Sequence, residues 1–114
     1  RQSGALTLLL GVHNKIYYYD GNLQPDFSNL GRVDYTNIRQ IILKKKVALA
    51  NPDDLFITVM PGSNCTYKNI VDILDEFSID LVERYALVNK VQPVYASLIT
   101  KMDALEISAM PVVY

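Results

Sequence analysis

Residues 66–88 read TYKNIVDILDEFSIDLVERYALV, and this stretch decides the fold class. Ile70, Ile73, Leu74 and Phe77 recur at intervals of three and four, which places them on one side of a helix. Thr66 stands where an N-cap belongs, because its hydroxyl can accept a backbone N–H of the first turn. Residues 84–88, RYALV, abandon that spacing and read as a short strand. An amphipathic helix leading into a strand is a packing and docking unit.

Upstream, residues 55–60 (LFITVM) are almost continuously apolar and rich in β-branched and aromatic types, so they predict a central strand covered on both faces. Residues 61–64 (PGSN) form the turn between this strand and the helix. Residues 36–51 (TNIRQIILKKKVALAN) return to helical spacing through Ile38, Ile41, Ile42 and Leu49, with Thr36 as the expected N-cap. Arg39 and Lys44, Lys45 and Lys46 fall mostly elsewhere, as a solvated helix face would. Asn51 before Pro52 stops the helix, since the residue before proline avoids the α region. Helix, strand, helix, strand in this order predicts two helices on one face of a small sheet.

Residues 5–12 (ALTLLLGV) and 16–19 (IYYY) are short apolar runs split by His13, Asn14 and Lys15, as in a hairpin. Residues 22–33 (NLQPDFSNLGRV) carry Pro, Asp, Ser, Asn and Gly in close succession and read as an irregular loop. At the other end, residues 93–105 place Val94, Leu98, Met102 and Leu105 at helical spacing behind Pro93, which is tolerated in a first turn. A terminal strand is expected at 112–114. The fold class is therefore α+β: a small mixed sheet, two main helices packed on one face, and a C-terminal helix.

The 114 residues, half of them hydrophobic and a fifth charged, suit one domain spanning 1–114 with its own core. A net charge of −1 supplies no field to attract nucleic acid. Cys65 is the single cysteine and makes no internal disulfide. No apolar run approaches the roughly 18 to 20 residues that span a bilayer.

Residue types that carry chemistry are sparse. His13 is the single histidine and sits in the hairpin turn, which disfavours a multi-histidine metal site or a Ser-His-Asp relay. Cys65 lies at a helix start, where a thiol can be activated, but no base accompanies it in sequence. Asn64-Cys65-Thr66 matches the N-glycosylation triplet, a pattern common by chance. Asp72, Asp75 and Glu76 share part of a helix surface, which is ordinary for a wet face and lacks cation-loop spacing. Tyr17, Tyr18 and Tyr19 would alternate across a strand, so Tyr17 and Tyr19 could offer a stacking platform to sugars. No catalytic, cofactor-binding or metal-binding residues are expected. What a short sheet does offer is an unpaired edge that can accept a strand from another chain.

Several segments in series resemble the periplasmic domain of ExbD/TolR biopolymer transport proteins, in the version found in Bacteroidetes-type bacteria. They are LTLLLG at 6–11, KIYYYDG at 15–21, the helix over 38–46, the apolar strand at 55–60, and YKNIVDILDE at 67–76 ending near YALV at 85–88. The resemblance covers about residues 6–88. Residues 91–114 form a C-terminal extension beyond it.

The resemblance implies the soluble part of a bacterial inner-membrane protein, anchored by an N-terminal helix that lies outside this sequence. It implies a motor subunit driven by the proton-motive force, working with ExbB-like and TonB-like proteins to support active transport across the outer membrane. It also implies a homodimer and no enzymatic activity. The alternative within the family is a TolR-like module that binds peptidoglycan and serves envelope integrity. Docking by strand addition is expected at Leu6, Leu8 and Leu10, with Tyr85 and Leu87 as the second edge.

Overall fold

The computed structural model describes residues 3–109. Its elements run β1 (Ala5–Leu10), β2 (Lys15–Asp20), β3 (Gly31–Asp34), α1 (Ile38–Ala48), a 3-10 turn (Pro52–Asp54), β4 (Phe56–Pro61), α2 (Tyr67–Ile79), β5 (Tyr85–Leu87) and α3 (Pro93–Ser108). The strands form one sheet in the order β3-β2-β1-β4-β5. β2 is antiparallel to β1 and β3, whereas β1, β4 and β5 run parallel. The sheet is mixed, and the fold is α+β as the periodicities predict.

The hairpin joining β1 to β2 turns at His13 and Asn14, both with positive φ (53° and 60°). Lys15 N–H closes the turn on Val12 C=O at 3.1 Å. Left-handed residues at both central positions match the right-handed twist of the flanking strands. Parallel pairing then needs crossovers. α1 precedes β4 and α2 connects β4 to β5, each step adding a strand on the same side of the last. Right-handed crossovers in one direction set both helices on one face.

That face holds the larger core. Leu6, Leu8 and Leu10 of β1, Ile16 of β2 and Ile57 and Val59 of β4 pack with Ile38 and Ile42 of α1 and Ile73 and Phe77 of α2. The opposite face is covered by α3, whose Leu98 and Ile99 pack with Leu9, Tyr17 and Tyr19. Alternate side chains of β1 thus enter different cores, which is why ALTLLL is apolar at every position but Thr7. The middle of the sheet is β1, not residues 55–60; β4 is interior but second from the edge.

Other expectations are corrected. Residues 31–34 are a strand rather than loop, because β2 offers Lys15 to Tyr18 as a ladder for them. Asn37, not Thr36, occupies the N-cap of α1. Asp34 Oδ1 accepts from the backbone of Thr36 and of Asn37, each at 3.0 Å, so a carboxylate two residues earlier fixes the chain before Thr36 can cap it. In α3, Val94 and Leu105 are exposed, and the buried side runs through Leu98, Ile99 and Asp103. Thr66 does cap α2: its Oγ1 accepts from Asn69 N–H at 3.0 Å, and Asn69 Oδ1 accepts from Thr66 N–H at 3.0 Å. The strand expected at 112–114 lies outside the described residues. No helix among the described residues is long and apolar enough to cross a membrane.

Candidate functional site

Three places collect polar or exposed groups: the far end of the parallel strands, the α1–α2 face, and the β5 edge. At the first, Asp103 of α3 is buried against the ends of β1 and β4. Its Oδ1 accepts from Tyr17 Oη at 2.6 Å and from Val12 N–H at 2.9 Å, and its Oδ2 accepts from Asn64 Nδ2 at 3.1 Å. Gly11 and Gly62 permit this approach. A Cβ on Gly11 would lie 2.5 Å from Asp103 Oδ1, and one on Gly62 would lie 2.4 Å from Ile99 Cγ2. Burial, then the hydrogen bond to Asp103, push the Tyr17 hydroxyl far above its ordinary value. Protein donors occupy both carboxyl oxygens, so the node fastens α3 to two loops and to β2.

The sequence-expected chemistry disperses around this node. His13 is exposed in its turn. Burial, followed by the Asp103 charge, pushes the Cys65 thiol up, opposite to activation. Tyr17 and Tyr19 are buried beneath α3, and Tyr18 packs on the other face, so the expected stacking platform is closed. Asp72 pairs with Lys68 at 2.5 Å, and Glu76 is buried against Arg39 rather than wet. Of the lysine run only Lys44 lies on a solvated face. Lys45 is 4% exposed and donates to Asp20 Oδ1 at 2.5 Å and to Ser3 C=O, and Lys46 donates to Asp80 C=O at 2.9 Å. Among the described residues no three His, Cys, Asp or Glu side chains are grouped as a metal site would require.

The docking edges are corrected as well. β1 has β2 on one side and β4 on the other, so its ladder groups are all engaged. Leu6, Leu8 and Leu10 are core residues, at most 2% exposed. A strand of this apolarity is made for the interior of a sheet, and the partner that covers it, β4, lies some fifty residues away in sequence.

β5 is an edge. Ile57 N–H donates to Arg84 C=O at 3.1 Å and Val88 N–H to Val59 C=O at 2.9 Å. Polar groups alternate sides along a strand, so Tyr85 and Leu87 direct their N–H and C=O away from β4. Among the described residues no strand pairs with that side. Tyr85 is 43% exposed, its ring 5.0 Å from that of Phe77, and Arg84 lies 5.7 Å above the Phe56 ring. On the α1–α2 face, Leu43, Val47, Ile79 and Leu81 line an open groove of about 550 Å³ together with Arg39, Lys46 and Asp80. β3 is the other edge, short and charged, with Arg32 paired to Glu106 of α3.

No family model, curated protein or solved structure matches this chain.

Proposed function

We propose that this chain is the periplasmic docking domain of an ExbD/TolR-like motor subunit, and that an extended segment of a TonB-like partner adds to the sheet along β5. The subunit would work with an ExbB-like protein, draw on the proton-motive force, and support transport across the outer membrane. The observation that carries this reading is the outward N–H and C=O pattern of Tyr85 and Leu87 on an open strand where the Tyr85 side chain is itself exposed. Strand addition supplies affinity through main-chain bonds and selectivity through pockets beside them.

Tyr85→Pro and Leu87→Pro remove only outward N–H groups, whereas Ala86→Pro removes a bond to β4. The expected result is loss of TonB-like partner binding in Tyr85→Pro and Leu87→Pro, with circular dichroism like that of the parent. Unchanged affinity in both folded variants would defeat docking at β5. The coding sequence upstream of Arg1 tests the family separately: a single transmembrane helix bearing an aspartate is expected.

A further inference from the structure

The C-terminal end of α2 holds a cluster that strand addition does not use. Glu76 and Asp80 stand four residues apart on one face of the helix, and both are buried. Arg39 of α1 reaches across to them. Its Nε donates to Glu76 Oε2 at 2.8 Å and its Nη2 to Glu76 Oε1 at 3.3 Å, while Nε stands 3.5 Å from Asp80 Oδ1. Lys46 Nζ, the other nearby cation of α1, donates to the backbone oxygens of Asp80 and Leu81 at 2.9 and 3.2 Å. Asp53, Glu83 and Arg84 line the adjoining hollow, which shares Lys46 and Leu81 with the apolar groove.

One atom is left over. Asp80 Oδ2 is buried and has no hydrogen-bond partner. A carboxylate oxygen in that position lacks a donor, and two buried carboxylates share one guanidinium at a helix end that already carries partial negative charge, with Lys46 engaged on backbone oxygens rather than on either carboxyl. Both defects vanish if Oδ2 carries a proton and donates it to Glu76.

We infer that Glu76 and Asp80 form a proton-sharing carboxyl pair held by Arg39, and that its proton locks the end of α2 and the turn leading to β5. Burial first, then the hydrogen bond and charge of Glu76, push Asp80 up to about 7 against the pull of Arg39 and Lys46. The hydrogen bond from Arg39 holds Glu76 below its ordinary range despite its burial. The turn itself is a Schellman motif: Val82 N–H reaches Phe77 C=O at 2.8 Å and Leu81 N–H reaches Ser78 C=O at 3.4 Å. Leu81 occupies the left-handed position at φ 58°, where a leucine is strained. Loss of the proton sets two carboxylates against each other one turn before this strained residue, and Asp80 relieves the repulsion by moving toward water. The groove wall formed by Ile79, Asp80 and Leu81 moves with it.

The test needs no partner, so it stands or falls apart from docking at β5. Side-chain carboxyl shifts and backbone amide shifts are followed by NMR across pH 3 to 9 on the intact chain. One carboxyl of the pair is expected to titrate near neutrality, with the amides of residues 79–82 changing at the same midpoint. Asp80→Asn should remove that transition. Glu76→Gln should lower the Asp80 midpoint by about one pH unit or more, a tenfold or greater loss of proton affinity. Two carboxyls that both titrate in the ordinary acidic range, or amides at 79–82 that ignore the neutral transition, would overturn the assignment.

Discussion

Replacing Asp103 by alanine should be among the most damaging single changes in the chain. The side chain is 1% exposed and accepts three hydrogen bonds. Removing it strands the buried Tyr17 hydroxyl outright and leaves the Val12 N–H and Asn64 amide, both part-buried, to find water. A buried donor without a partner costs about 1–3 kcal/mol, and part-buried donors less, so the sum is about 3–5 kcal/mol. An unfolding entropy of about 2.1 cal/mol/K per residue over this chain length converts each kcal/mol into about 4 °C, hence a fall of about 12–20 °C in Tm. Tyr17→Phe removes one bond to the same carboxyl and should cost about 1.5–3 kcal/mol. Urea unfolding of the parent, both single variants and the double variant closes a cycle, in which the Tyr17–Asp103 coupling should exceed about 1 kcal/mol. Hydrogen exchange should locate the loosening in α3 and in the turn at residues 11–14. A loss below about 1 kcal/mol for Asp103→Ala, or additive single changes, would refute the role of this node in fastening α3.

Leu81→Gly should stabilise the chain by about 0.5–1 kcal/mol, because glycine takes the left-handed position without strain and the leucine is mostly exposed; thermal melts that drop instead would contradict this. Asp80 should also mark the pH dependence of stability. Its folded value lies above its unfolded value of 3.8, so its contribution is fully present below about pH 4 and is lost as pH rises through about 7, with a ceiling of about 4 kcal/mol. Glu76, held low, acts in the opposite sense: its contribution is present above its ordinary value and is lost as pH falls through its folded one. Denaturant midpoints of the parent relative to Asp80→Asn should therefore be most favourable at and below about pH 4, fall as pH rises toward 7 and level off above it, and a difference that is flat with pH would contradict the assignment.

Local signals carried the helices and the interior strands. Thr66 and the Ile70, Ile73 and Phe77 spacing name α2 directly, since cap chemistry and a buried stripe are properties of one continuous segment. Periodicity failed wherever the deciding contact was remote. β3 has four residues and one large apolar side chain, and it is a strand because Ile16 and Tyr17 pair with Val33 and Arg32. Lys45 looks like its neighbours Lys44 and Lys46 until Asp20, twenty-five residues earlier, closes over it.

The polar core shows the same limit more sharply. On a helical net Asp103 follows Ile99 by four and precedes Glu106 by three, so it shares the buried side of α3, where a charge would ordinarily argue that the side faces water. Its three donors come from the β1–β2 turn, β2 and the β4–α2 turn, and none is within thirty residues in sequence. Glu76 reads with the wet face of α2 for the same reason, because a carboxylate and its arginine are indistinguishable from solvated charges until α1 and α2 are laid side by side. Buried polar pairs are specified by both ends at once, and each end alone carries the signature of a surface. The expectation that β1 would be an edge failed through the converse: its leucines announced burial, but only the parallel ladder to β4 shows that burial extends to the backbone. Which strand edges stay unpaired is then decided by topology, and among the described residues these are β5 and the short, charged β3.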